Sequence, residues 1–355
     1  MVKVQNITVL PEKISNFVCN YKLKKSVYDK ERDERSFASL HPVGLQRKSG
    51  AMEKEGNNAP EKKVSVESDR LPIADPYVML YNNKYYAYGT GGTTKGEGFA
   101  CFSSDDLKNW KREGQALSAA DSYGKWGFWA PEVYYIESKK KFYMFYSVEE
   151  HICVATSDSP VGPFRQEVKQ PVWEEKSIDT SLFIDDDGTP YLYFVRFTDG
   201  NVIWVARMTD DLMKIKTETL SQCVKAEAPW ELLQAKVAEG PSVLKKNGTY
   251  YLIYSANHYQ NKGYGVGYAT SKSPMGPWIK YSKNPLLQGV EGMGLVGTGH
   301  GAPFQCKDGS WKYIFHAHWS KEKIHPRTSY FKDFAISDQG VVSISGEVIE
   351  PRVMK

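Results

Sequence analysis

Long apolar runs are missing from this 355-residue chain, and no stretch approaches the ~20 apolar residues of a membrane helix, so a membrane partner is not expected. The opening MVKVQNITVLPEK also lacks the apolar core of about 7–15 residues that marks a secretory signal, and no export signal is expected in the sequence as written. Cysteine is scarce. The five (Cys19, Cys101, Cys153, Cys223, Cys306) form no CxxC pair, which argues against a zinc site or a disulfide framework and suits small buried hydrophobes. An excess of one charge is also missing from most of the chain. The net +4 comes from residues 1–70, which hold 14 Lys/Arg and 10 Asp/Glu, leaving 32 of each sign over residues 71–355. A neutral body offers no basic stripe for phosphates, so an uncharged polymer is a more natural partner than a nucleic acid.

Aromatic residues, by contrast, are abundant, at 13% with 23 Tyr, which favours strands and stacking surfaces over a helical bundle. Residues 1–70 stand apart, with only four aromatics and charged runs such as YDKERDER and EKEGNNAPEKK. They are expected to form a polar, flexible leader. From Leu71 a pattern recurs in which a polar residue opens a strand, a tight turn follows, and an aromatic-rich strand returns. The instances are ADPYVMLYNNKYYAYGT, APEVYYIESKKKFYMFYS, DTSLFIDDDGTPYLYFVR, EGPSVLKKNGTYYLIYSAN and GHGAPFQCKDGSWKYIFHAH. Each reads as a β-hairpin. The opening residues Asp75, Glu132, Asp179, Glu239 and His300 are 57, 47, 60 and 61 apart, the spacing of four-stranded propeller blades. Residues 71–355 are therefore expected to form an all-β, five-bladed β-propeller. An ordinary antiparallel sandwich would not explain why SDSPVGPF and SKSPMGPW recur at one place in two repeats.

In a propeller the first strand of each blade lines the central axis, so four carboxylates and a histidine would converge at one funnel. Such a cluster is costly unless its perturbed protons are used, which points to acid/base chemistry. The motifs ADP at 74–76, WAPE at 129–132, the IDTSLFIDDDG run, EGPS at 239–242 and GHG at 299–301 together resemble glycoside hydrolase family 43 over residues 71–355. The resemblance implies five blades, Asp75 as the base that activates water, Glu239 as the acid that protonates the leaving oxygen, and Asp179 as a carboxylate that keeps the acid's pKa high. It implies that His300 helps hold a hydrated calcium ion near the axis and that Arg327 contacts sugar hydroxyls. Members act on arabinose- or xylose-containing polysaccharides and are usually exported.

Glycosidic cleavage needs one carboxyl protonated and one ionised at the same pH, hence two unlike environments. Asp75 and Glu239 open different blades, so a separation of about 6.5–9.5 Å and inversion of configuration are expected. Trp129 and Phe128 are candidates to stack on a sugar ring, with Trp126 and Trp204 behind them, and Glu132 and His318 are expected to line the substrate site. His316, two residues from His318, is expected to do no more than pack. The glycine-rich GTGGTTKGEG at 89–98 lacks the GK[ST] ending of a phosphate loop and reads as a blade loop. Asp185–Asp187 reads as a hairpin turn, without the spacing of a calcium loop. The protein is expected to be a monomer. The sugar, and endo against exo action, stay open, as does the alternative of a silent carbohydrate-binding propeller or an enzyme of a neighbouring five-bladed family.

Overall fold

Each aromatic-rich repeat folds into the hairpin its sequence predicts. The computed structural model describes residues 69–91 and 97–355, so all but the last two residues of the leader expected over 1–70, and the centre of the glycine-rich loop, lie outside the described residues. Strands β1 (Ile73–Tyr81) and β2 (Lys84–Gly91) meet at Asn82 and Asn83, both at positive φ (46° and 59°), the twist a two-residue hairpin turn demands. With β3 (Phe99–Ser104) and β4 (Asn109–Leu117) they form blade one. Blade two is β5 (Trp129–Ile136), β6 (Lys141–Val148) and β7 (His151–Ser157). Blade three is β8 (Ser177–Ile184), β9 (Pro190–Phe197), β10 (Asn201–Arg207) and β11 (Ser221–Lys225). Blade four is β12 (Ala238–Lys246), β13 (Thr249–Ala256), β14 (Gly265–Ser271) and β15 (Ile279–Lys280). Blade five is β16 (Gly299–Gln305), β17 (Trp311–Ala317), β18 (Thr328–Ile336) and β19 (Val342–Ile349).

The expectation of four strands per blade fails in blade two. Its outer place holds a single bridge between Thr156 and Arg165, which exchange both backbone hydrogen bonds at 3.0 Å. Blade one gains a strand instead. Here β20 (Arg352–Val353) pairs in parallel with β4, Arg352 opposite Asn109, so the end of the chain closes the ring on the first blade.

The core is divided among the seams between blades. Met79, Tyr88 and Phe99 pack with Val133 and Tyr146 between blades one and two. Phe145, Phe194 and Met208 fill the next seam, and Tyr193, Val195, Leu252 and Tyr254 the one after. Ile253, Tyr268, Phe315 and Tyr330 join blades four and five. Trp110 stacks flat on Phe331 where blade five meets blade one, 6.1 Å between centroids and 7° between planes. A fully buried side chain of this size contributes about 1.5–3 kcal/mol, so each seam outweighs any single surface ion pair.

One irregularity repeats in all five blades and positions the site. Near the start of each first strand the ladder skips two residues, and the first of each skipped pair has positive φ: Asp75 (48°), Ala130 (46°), Asp179 (57°), Gly240 (56°) and His300 (40°). Such a bulge bends the strand and re-aims a side chain. A left-handed non-glycine residue costs on the order of 1–3 kcal/mol, so something must hold it there. The hold comes from the preceding blade. The N–H of Ala130 donates to Thr90 Oγ1 (2.9 Å), that of Asp179 to Ser147 Oγ (2.9 Å), that of His300 to Ser255 Oγ (2.7 Å) and that of Asp75 to His316 Nδ1 (3.1 Å). Each acceptor lies opposite the residue before its own blade's bulge: Ala74 faces Thr90, Trp129 faces Ser147, Glu239 faces Ser255 and Gly299 faces His316. In blade three that place belongs to Val195, which cannot accept, and the N–H of Gly240 turns to Asp179 Oδ2 at 3.4 Å.

These bulges correct the repeat. The equivalent residues are Asp75, Ala130, Asp179, Gly240 and His300; Glu132 lies two positions after its bulge residue and Glu239 one before. Matching by acidic side chain misplaced the register in two blades, because the repeat is defined by backbone conformation and not by charge.

Candidate active site

Asp75, Asp179, His300 and Glu132 line one narrow cavity on the first strands, closed by Ala130, Thr180, Gly240 and Pro241. Asp75, in the bulge of β1, is 8% exposed. Arg327, from the segment leading into β18, grips it with Nη1 to Oδ1 at 2.8 Å and Nη2 to Oδ2 at 3.2 Å. His300 Nδ1 lies 3.4 Å from Asp75 Oδ1, and His316 Nδ1 lies 3.3 Å from the same oxygen. Burial alone would raise the Asp75 pKa; the fixed charge of Arg327, the largest opposing cause, holds the carboxyl well below the usual carboxylate range. Burial lowers both imidazoles, His316 to about 3, with the Arg327 charge acting against protonation as well, so both rings are neutral at pH 7.

Glu239, on β12, is as buried as Asp75, at 9% exposed, but no cation grips it. Tyr264 Oη donates to its Oε1 (2.8 Å) and Asn201 Nδ2 to its Oε2 (3.0 Å). Burial pushes its pKa up to about 7; the Asp75 charge adds to this and the Tyr264 and Asn201 hydrogen bonds oppose it. Asp179 is raised well above the carboxylate range by burial, then by Glu239 and Asp75. The two acids share a tendency to keep a proton, and Asp179 also accepts the N–H beside Glu239. Gly240 is needed between them: it has φ 56°, and a Cβ would lie 2.9 Å from the His300 ring.

The other predicted residues divide. Glu132 is pushed up to about 8 by burial, against hydrogen bonds from Tyr134 and Ser181. Tyr134 Oη donates to it and accepts the N–H of Leu182 (3.0 Å), which fixes Glu132 at the cavity wall. Arg327, expected on sugar hydroxyls, is instead spent on Asp75, its guanidinium 4.5 Å over the Tyr259 ring. Trp129 is half-buried at the start of β5, and Trp126 is 58% exposed. Phe128 cannot stack on a ligand: it is 3% exposed and packed against Phe99 and Tyr146. Trp204 has a face covered by Arg196 at 4.4 Å. His318, expected to line the site, is 3% exposed and bonds through Nε2 to Tyr259 O (2.8 Å), so it braces the loop under Arg327. His316, read from sequence as mere packing, is the residue that holds Asp75. Asp185 does form a hairpin turn and anchors Lys245 Nζ and Tyr250 Oη, each at 2.6 Å.

Sequence reasoning missed Tyr264 and Asn201. Both lie outside the recurring motifs: Asn201 opens β10 and reaches Glu239 from the neighbouring blade, and Tyr264 sits just before β14 of the acid's own blade; the one available signal was their place beside the turns between second and third strands.

Ligand atoms of Asp179, Glu239 and His300 lie within 4.8 Å of one another, and this trio could hold a metal ion. As a calcium shell it falls short. Two carboxylates and one ring nitrogen stand against the roughly six to eight oxygens calcium takes, in a cavity of about 10 Å³ with room for about one water.

Comparison with known proteins places this geometry. A beta-D-galactofuranosidase xynD of Aspergillus niger is 28% identical over 265 residues, covering 68% of this chain and 73% of that protein. An arabinoxylan arabinofuranohydrolase of Bacillus subtilis is 30% identical, covering 69% of this chain but 55% of the relative, so the chain spans about half of that protein's length. Among solved structures, an endo-1,4-beta-xylanase from Bacteroides thetaiotaomicron VPI-5482 is 86% identical, with a TM-score of 0.81 over 82% of this chain and 100% of that one. A thermostable family-43 glycoside hydrolase follows at 34% identity and TM-score 0.72, over 79% and 95%. Residues 70–339 match the family described as "Glycosyl hydrolases family 43", and the chain belongs to that family.

Proposed function

We propose that this protein hydrolyses O-glycosidic bonds in arabinose- or xylose-containing plant polysaccharides with inversion of configuration, Asp75 acting as general base and Glu239 as general acid. The observation that carries the proposal is the opposite displacement of two equally buried carboxyls. Asp75 is held ionised, and Glu239 is pushed up to about 7. A base must be ionised and an acid protonated at one pH, which is the division hydrolysis needs. Asp179 orients the acid through the backbone N–H of Gly240. A non-catalytic binding propeller would have no use for three carboxyls whose burial costs stability. The names of the relatives, arabinoxylan arabinofuranohydrolase and endo-1,4-beta-xylanase, favour arabinoxylan or xylan as the polymer. If calcium binds near His300, water must complete its shell, and the steps above run on Asp75 and Glu239 alone.

The test is to screen xylan, arabinoxylan and linear arabinan with short oligosaccharides of each, then follow the first turnovers on the best one by proton NMR. The expected product has the anomeric configuration opposite to the bond cleaved. Retention, or a glycosyl group trapped on Asp75, would overturn the role given to Asp75.

A further inference from the structure

The rim beside the acid carries an exposed aromatic ring that neither the motifs nor the mechanism above uses. Phe197 ends β9 and is 44% exposed, although large aromatic side chains in this chain are mostly buried. Its cross-strand partner is Asn201, the first residue of β10. Directly opposed residues of an antiparallel pair place their side chains on the same face, so Phe197 shares a face with the amide that donates to Glu239 Oε2 at 3.0 Å. The opposite face of blade three is marked by Arg196, which stacks on Trp173 and Trp204.

The hairpin tip between Phe197 and Asn201 is fixed to the segment that leads into β12, the strand that carries the acid. The N–H of Asn201 donates to Lys236 O (3.0 Å), and Lys236 Nζ pairs with Asp199 Oδ1 (3.0 Å). Gly200 passes so close that a Cβ would meet Lys236 O at 2.1 Å. Phe197 is thus held in a set relation to Glu239, as a stacking platform must be. Leu232 and Leu233, on the segment that feeds β12, are exposed as well, at 40% and 56%, but offer no flat π face to the C–H side of a sugar ring.

We propose that Phe197 is the platform for the leaving-group sugar, the ring whose glycosidic oxygen takes the proton from Glu239, and that it sets a preference for substrates with a pentose in that position. This rests on Glu239 being the general acid. That sugar must lie against the acid, and Phe197 is the exposed aromatic on the sheet face that presents Asn201 to the acid.

The experiment compares wild type, Phe197→Ala and Phe197→Trp on two substrates with the same glycone: a linear trisaccharide, xylotriose or arabinotriose, whichever the wild type cleaves faster, and the matching pentosyl fluoride, which has no leaving-group ring. For Phe197→Ala, kcat/KM on the trisaccharide should fall roughly tenfold, mostly through KM, and at least three times more than on the fluoride. Phe197→Trp should recover most of the loss. Equal losses on both substrates, or none on the trisaccharide, would overturn the assignment. Wild-type turnover reports separately on the hydrolase reading. If the wild type turns over neither substrate, that reading fails, and calorimetric titration of the trisaccharide into wild type and Phe197→Ala still decides the platform: a Kd weakened fivefold or more supports it, and an unchanged Kd refutes it.

Discussion

The two sides of this cavity bury their carboxyls almost equally, yet set their protons in opposite directions. On the side where blades five and one meet, Arg327 grips both oxygens of Asp75, with His300 and His316 beside them. Where blades three and four meet, Glu239 meets only neutral donors, Tyr264 and Asn201, and a second acid in Asp179. Burial is common to both sides, so the difference lies in the fixed countercharge. Arg327 is the largest influence lowering the Asp75 pKa, and Glu239 has no such ion pair.

The strongest way to break the comparison is to remove each acid in turn. Asp75→Asn should cost roughly 10²–10⁴-fold in kcat on every substrate while the far-UV spectrum stays that of a folded β protein. Glu239→Gln should cost as much on a natural glycoside but far less on a pentosyl fluoride, whose departure needs no proton. Parallel losses for both variants across leaving groups would erase the distinction between the two sides.

A smaller intervention exchanges the countercharge. Arg327→Met leaves Asp75 buried and unpaired, which should cost roughly 3–5 kcal/mol of stability, read as a lower denaturant midpoint. The Asp75 pKa should rise, because burial then acts with less opposition. Activity should acquire an acidic limb: kcat/KM falls as pH is lowered through the raised pKa, where the wild type stays on its plateau. An acid profile identical to wild type would show that Arg327 does not hold the base ionised.

The smallest expected effect sharpens the other side. On the proposed mechanism Glu239 must be protonated, so wild-type kcat/KM should fall as pH rises through about 7. The Tyr264 hydrogen bond favours the ionised form and lowers the pKa, so Tyr264→Phe should move this alkaline limb upward and change the plateau rate less than tenfold. A limb that moves downward would mean that Tyr264 stabilises the protonated acid.

The sequence made the ring, the hairpins and the three acids of ADP, IDTS and EGPS legible, because strand alternation and turn chemistry are local. The funnel was legible only by type of side chain, and that misled in two blades. Ala130 and Gly240 occupy the bulge position without an acidic group, while Glu132 and Glu239 carry acids at neighbouring positions. Nothing in an alanine announces a positive φ. The holding residues Thr90, Ser147, Ser255 and His316 are equally quiet, since a serine at a strand end has many uses and its partner lies on the next blade. The fate of Phe128 and His318 depended on which neighbour covered them, a property of packing across seams.

The pairing of Asp75 with Arg327 joins residues 252 apart in the chain. During synthesis Asp75 is therefore made about four blades before the arginine that grips it and the histidine that accepts its N–H. A ribosome-bound chain lacking blade five would carry the ADP motif without Arg327 or His316 beside Asp75. Closure of the ring onto blade one and the ion pairing of Asp75 therefore both wait for the last part of the chain, blade five and the strand after it.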